Sequence, residues 1–169
     1  MKNPFEPKQP ASPASEALYR WWEQLENNKG ERAALSRCAT ITEVLLCPAF
    51  YAIAQPLEEQ VGLDPRGREG LAAIVGLLAH VRANDAQKLP QAMAAGDAKP
   101  VVSAARFRRL LEAQTLDELY PLMRRILGLL DKTANVRDLA RCLYDWNDSM
   151  RKEWAYAYFA QAAKSAPQS

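Results

Sequence analysis

Apolar residues recur every three or four positions along most of the chain, a spacing that places them on one face of an α-helix. No stretch shows the alternation of β-branched and polar residues that is typical of a strand. The clearest helical face follows Thr115 and consists of Leu119, Leu122, Met123, Ile126, Leu127 and Leu130. The pattern predicts an all-α protein of about eight helices with no sheet.

The predicted helices fall into two groups, separated by a stretch rich in proline and glycine. Residues 15–83 form the first helical lobe, and residues 103–164 form the second as a helical bundle packed in tandem with the first. Residues 84–102 are expected to be the connecting loop. Residues 1–14 carry a proline at every third position, which blocks helix formation and predicts a disordered tail, and residues 165–169 form a second disordered tail.

Polar residues at the predicted helix starts support these assignments. Ser15, Ser103, Thr115 and Asn135 each precede a helical run and are good N-cap residues. Pro48 interrupts an apolar run and should kink or restart the helix there. The helix bounds expected from these signals are 15–27, 31–38, 68–82 and 148–164, with further helices starting near Thr42, Ser103, Thr115 and Asn135.

Composition narrows the possible chemistry. The net charge is only +2, so any anion-binding role must come from local clustering of basic residues. Cys38, Cys47 and Cys142 are widely spaced and odd in number, which argues against both a zinc site and a disulfide framework. We therefore expect no metal and no cofactor. The chain also lacks the apolar run of a signal peptide, which favours a cytoplasmic location.

Candidate catalytic groups are few. His80 is the only histidine and lies on an apolar helix, where a histidine is usually a partly buried structural residue. Asp145, Asp148 and Glu153 are close in sequence, but they are better explained as capping or ion-pair groups than as a metal site. The sequence therefore predicts no catalytic residue and a protein that is not an enzyme.

Arginines are the most distinctive polar residues. From Arg106 to Arg141 the chain has eight basic residues, seven of them arginine, against five acidic ones. Most of those acids lie at helix ends, where they have a local explanation, whereas the arginines have none. A solvated face with ion pairs along each helix is the ordinary alternative. The preference for arginine over lysine favours phosphate or partner binding, because the guanidinium group binds phosphate through two parallel hydrogen bonds.

Several motifs, taken in order, resemble the CasB family. They are LYRWWEQL, GERAALSR and PAFYAIAQP in the first half, then RFRRLLEA, LDELYPLMRRILGLL and RKEWAYAYF in the second. The resemblance extends from Ala17 to Ala160. CasB proteins are the small subunits of the type I-E CRISPR surveillance complex, called Cascade.

The resemblance implies an all-helical, non-catalytic subunit that takes part in antiviral defence. Its expected partners are the backbone and large subunits of Cascade, a second copy of itself arranged head to tail, the hybrid of guide RNA with target DNA, and the displaced DNA strand of the R-loop. No membrane partner is implied. The basic residues expected to bind nucleic acid are Arg32, Arg37, Arg106, Arg108, Arg109, Arg124 and Arg125, followed by Arg137, Arg141, Arg151 and Lys152.

Two alternatives remain open at the level of sequence. In the first, the chain is a protein-interaction scaffold whose arginines contact acidic surfaces of neighbouring subunits. In the second, it is a helical enzyme that uses His80. The sequence alone leaves open whether the arginines bind neighbouring subunits or nucleic acid, and it does not define the path of a nucleic acid.

Overall fold

The computed structural model describes residues 2–165, in which α-helices dominate and the predicted all-α class is confirmed. The first five helices are α1 (Pro13–Gln24), α2 (Lys29–Ser36), α3 (Ile41–Leu45), α4 (Tyr51–Val61) and α5 (Pro65–Leu78). The other five are α6 (Leu89–Ala94), α7 (Ala104–Glu112), α8 (Leu116–Leu129), α9 (Val136–Tyr144) and α10 (Asp148–Ser165). Short 3-10 helices occupy Leu25–Asn27 and Pro48–Phe50.

One small feature departs from the prediction of no sheet. Two strands of two residues each, β1 (Ala83–Asn84) and β2 (Thr133–Ala134), pair in parallel. A pair this short shows no alternation in the sequence, because the alternating pattern of a strand needs about four residues to be visible.

Most of the predicted helix starts are confirmed by side-chain hydrogen bonds. The caps are Ser103, Thr115 and Asn135, whose oxygens accept from the backbone N–H groups three residues further on. The prediction for Ser15 is wrong, because Ser12 caps α1 and accepts from the Ser15 N–H. Pro13 then takes the first helical position, where a missing N–H costs nothing.

Helix α5 lies at the centre of the molecule. Every residue from Gly70 to Ala79 is buried, and the helix packs against α2 and α3 on one side and α8 and α9 on another. The predicted lobes, residues 15–83 and 103–164, therefore share one continuous core. The restart at Pro48 is also confirmed, since α3 ends at Leu45 and a 3-10 helix begins at the proline.

The predicted connecting loop, 84–102, is not a surface loop. It contains α6, whose Leu89 and Met93 are fully buried, and this helix packs against α10. The Val102 carbonyl, also in this segment, accepts a hydrogen bond of 2.6 Å from the Tyr158 hydroxyl. A helix of six residues is too short for its apolar spacing to be recognised in the sequence.

Within the tail predicted to be disordered, residues 1–14, two side chains contact α9. Phe5 is buried, with its ring edge-on to Tyr144 at 5.6 Å between centroids, and the Asn3 amide donates to the Arg141 carbonyl at 3.0 Å. Regularly spaced prolines prevent a helix, but they do not prevent side chains between them from packing. In the second predicted tail, Ser165 ends α10, and residues 166–169 lie outside the described residues.

Gly76 fixes the separation between α5 and α8. A Cβ atom at this position would overlap the Tyr120 hydroxyl and would lie 2.8 Å from a Val44 methyl group. We predict that Gly76→Ala destabilises the protein by about 1–3 kcal/mol, because the added methyl group overfills a packed contact. Chemical denaturation measures the change.

Gly128 on α8 provides the matched control. A Cβ atom there meets no other atom within 4 Å. Gly128→Ala should therefore stabilise the protein by about 0.5–1 kcal/mol through helix propensity alone. If both variants shifted the denaturation midpoint in the same direction, the assigned contact at Gly76 would be wrong.

Candidate nucleic-acid interface

Three arginines line a groove between α7 and α8. On α7, Phe107 and Leu110 point into the core, so Arg106 and Arg109 project outward on the face beside α8. Arg125 projects from α8 into the same groove. The groove has a volume of about 290 Å³, and its apolar wall is formed by Leu110, Leu122, Ile126 and Leu129.

These groove arginines, Arg106, Arg109 and Arg125, are not neutralised by the protein itself. All three are exposed, and no carboxylate of residues 2–165 lies within ion-pair distance of them. Glu112 and Glu118 line an adjoining pocket together with Arg109 and Arg125, but they form no ion pair with either arginine. The groove therefore presents three fixed cations near one another, which suits a ligand carrying several phosphates.

Arg108 lies on the neighbouring face of α7. Its guanidinium carbon is 5.4 Å from the centre of the Phe159 ring on α10, a cation–π arrangement that holds the side chain over an exposed aromatic group. Arg108 is itself exposed, and it extends the positive surface of the groove toward α10.

A second basic cluster comprises Arg124 and Lys132, whose charges act on His80, together with Arg37, which follows Ser36, and Arg82, which precedes β1. Arg124 is half-buried, and its Nη2 donates to the Ser36 carbonyl at 3.2 Å, one residue before Arg37. The Arg82 N–H donates to the Lys132 carbonyl at 2.7 Å, where β1 meets β2. Arg37, Arg82 and Lys132 are exposed.

The electrostatic environment of His80 reflects its burial and this cluster. Burial, together with the charges of Arg124 and Lys132, lowers the pKa of the imidazole from 6.5 to about 4. Neutral His80 can therefore accept a hydrogen bond, and its Nε2 lies 3.4 Å from Arg124 Nε. The imidazole is held neutral mainly by burial, and its hydrogen bond with Arg124 gives it a structural role.

The four weaker candidates are paired with acids. Arg137 bonds to Glu16 at 3.0 Å and lies over the Tyr19 ring, and Arg141 bonds to Glu153 at 2.6 Å. Arg151 and Lys152 share the Asp148 carboxylate at 3.3 and 3.1 Å. The ion-pair interpretation of Asp148 and Glu153 is thereby confirmed.

Arg32 is in the interior. Only 4% of the residue is exposed, and its guanidinium group bonds to Glu26 at 3.2 Å and to the Val81 carbonyl at 3.4 Å. It therefore supports the packing of α2 against the end of α5 and presents no cation to a ligand. Its position in the GERAALSR motif gave no sign of this, because arginine is rarely buried and the Val81 carbonyl is distant in the sequence.

The residues of both basic clusters lie in a region that matches a known protein family. The family model for CRISPR-associated protein Cse2 matches residues 31–159, which contain both basic clusters. The chain belongs to this family. The resemblance in sequence is therefore confirmed, since Cse2 is the small subunit also called CasB.

A solved structure agrees with the family assignment. The chain is similar to a chain in the crystal structure of E. coli Cascade bound to a PAM-containing double-stranded DNA target, with a TM-score of 0.70 and 25% sequence identity. The match covers 88% of this chain and 96% of the E. coli chain. Comparison with curated protein sequences finds no match.

Sequence reasoning missed two members of the second cluster as binding candidates, Arg82 and Lys132. Both lie at the ends of the two short strands, outside any helical periodicity, and they are 50 positions apart in the chain. Only the parallel pairing of β1 with β2 brings them together. Within residues 2–165, no group of three metal-binding side chains occurs, and no helix is long and apolar enough to cross a bilayer.

The lowered pKa of His80 predicts a pH dependence of stability. The unfolded chain takes up a proton on His80 as the pH falls below 6.5, whereas the folded chain does so only near pH 4. Acidification through this window therefore favours the unfolded state, by at most about 3 kcal/mol. We predict that the free energy of unfolding falls more steeply from pH 7 to pH 4.5 in the wild type than in His80→Gln.

Denaturant titrations of both proteins at several pH values test this difference. Carboxylates contribute equally to the two curves, so the difference between the curves isolates His80. Parallel curves would show that His80 is not held neutral in the folded protein.

Proposed function

We propose that this protein is the non-catalytic small subunit of a type I-E CRISPR surveillance complex, in which it holds the backbone of nucleic acid. The observation that carries the proposal is the groove between α7 and α8. Its three exposed arginines have no acidic partner among the described residues, in a chain that belongs to the Cse2 family. The related E. coli chain comes from a Cascade complex bound to double-stranded DNA, which supports the same setting here.

The physical requirement of such a complex fits contacts of this kind. Forming an R-loop exchanges a DNA duplex for an RNA–DNA hybrid of similar stability, so modest contacts to the backbone are enough to favour the product. The guide RNA reads the sequence by base pairing. A subunit that binds phosphates without reading bases is therefore sufficient, and arginines on rigid helices provide such contacts.

The proposed contact residues form two sets. The first is Arg106, Arg109 and Arg125 in the groove, with Arg108 beside it. The second is Arg37, Arg82 and Lys132 of the second cluster. We leave Arg32 out because it is buried, and we expect Arg137, Arg141, Arg151 and Lys152 to contribute little because each already has an acidic partner.

A protein-interaction role is the second candidate, and two exposed apolar side chains favour it. Leu46 before α4 is 77% exposed, and Tyr156 on α10 is 80% exposed. Large apolar groups at this exposure are suited to contacts with neighbouring subunits or with a second copy arranged head to tail. This role is compatible with nucleic-acid binding, because Leu46 and Tyr156 do not line the groove.

We propose no catalytic activity. The imidazole of His80 accepts a hydrogen bond from Arg124. Asp148 and Glu153 are engaged in ion pairs. These contacts favour structural roles for His80, Asp148 and Glu153.

The triple variant Arg106→Gln, Arg109→Gln and Arg125→Gln tests the proposal. Each lost phosphate contact should reduce the slope of log K against log salt by about 0.7–0.9, so the triple variant should lose about 2–3 in slope with no change in sequence preference. Fluorescence anisotropy with single-stranded and double-stranded DNA, from low to moderate salt, measures the slope.

The control is Arg137→Gln with Arg151→Gln, which removes two arginines that already have acidic partners. Its slope should stay close to that of the wild type. If the triple variant bound DNA like the wild type but failed to join the assembled complex, the protein-interaction role would replace the proposed one for this groove.

A further inference from the structure

Arg124 joins the two helical groups of the molecule. Its Nη2 donates to the carbonyl of Ser36, the last residue of α2, and its Nε lies 3.4 Å from Nε2 of His80 just after α5. One turn earlier on α8, the buried Tyr120 hydroxyl donates to the Cys38 carbonyl at 3.0 Å. We refer to these contacts, made by Tyr120 and Arg124 with Ser36, Cys38 and His80, as the latch.

Each latch contact satisfies a group that would otherwise lack a partner. The last carbonyl groups of a helix have no partner within that helix, and they carry the negative end of its dipole. A guanidinium group at the end of α2 is therefore favourable both as a donor and as a cation. Gly76 leaves room for the Tyr120 ring to reach this position, since any side chain there would displace it.

The latch leaves Arg124 poorly placed to bind phosphate. Two of its three nitrogens are directed at protein groups, and the residue is half-buried. Two other arginines, each next in sequence to one end of the bond between Arg124 and Ser36, remain free to bind phosphate. Arg37 directly follows Ser36, Arg125 directly follows Arg124, and both are exposed without an acidic partner among residues 2–165.

We propose that Arg124 is a positioning residue that holds Arg37 and Arg125 in a fixed relation, so that one nucleic-acid strand contacts both. Arg37 and Arg125 directly follow the two residues joined by the hydrogen bond between Ser36 and Arg124. Consecutive Cα atoms are about 3.8 Å apart, so the backbone of each arginine lies close to that bond. Loosening the latch uncouples the two cations without removing either. This inference rests on the proposed function and adds a role for a residue that does not itself bind the strand.

The decisive variant keeps every cation in place. Tyr120→Phe combined with His80→Leu removes the Tyr120 hydroxyl donor and the acceptor of Arg124 Nε. We expect its salt slope for a 30-nucleotide oligothymidine to fall by about 0.7, which corresponds to one lost contact on a single strand. The full-length chain is used, and circular dichroism confirms folding at each salt concentration.

Tyr158→Phe is the matched control. It also removes a buried hydroxyl that donates to a backbone carbonyl, but on α10 and away from the latch. Its slope should equal that of the wild type. A slope reduced equally in both variants would show that general loosening, and not the latch, governs binding, and this would overturn the proposal.

A second comparison decides the question even if the double variant does not fold. In the wild-type background, Arg37→Gln should lower the slope by about 0.7, whereas in an Arg124→Gln background it should lower it no further. Equal losses in both backgrounds would show that Arg37 contacts the strand without being positioned by Arg124, and this would overturn the proposal. If neither Arg37→Gln nor Arg125→Gln changed the slope of the wild type, the proposed function of these residues would fail instead.

Discussion

The burial of α5 from Gly70 to its end at Leu78 is the constraint on which the rest of the structure depends. A helix surrounded on all sides cannot adjust its neighbours independently, because each neighbour packs against a face already limited by the others. Small residues set these distances, with Gly76 beneath Tyr120 and Gly70 beside Tyr144. The positions of α8 and α9, and of the arginines they carry, therefore follow from the packing around one helix.

The charges divide according to that packing. Arginines that lie between packed segments are bound by acids or carbonyls, as Arg32, Arg137 and Arg141 are. Where arginines line the exposed groove, as Arg106 and Arg125 do, no carboxylate of residues 2–165 lies within ion-pair distance. A net charge of +2 is therefore compatible with a positive local surface, since acids such as Glu16, Glu58 and Glu153 pair with other arginines. An embedded subunit needs such a limited positive surface and not a basic exterior.

Much of the helical architecture was predictable from apolar spacing and capping residues, and α8 with its Thr115 cap is the best example. Features that depend on contacts between distant segments were not. Phe5 packs on Tyr144 although its own segment has no periodic pattern, and the segment containing α6 is buried although it is rich in proline and glycine. At the candidate site, helical phasing correctly placed Arg106 and Arg109 on the surface. It could not reveal that Arg32 is buried or that Arg82 meets Lys132, because both depend on tertiary partners.

The segment before α1 has a consequence for how the protein can be handled. Asn3 and Phe5 contact α9, so this stretch closes over a surface that the helices alone would leave uncovered. Removing the residues before α1 would take the Phe5 ring away from Tyr144 and the Asn3 donor away from the Arg141 carbonyl. A protein shortened in this way for crystallisation would therefore expose a new apolar surface. Self-association of the shortened protein would result from the truncation and would not reflect the native assembly.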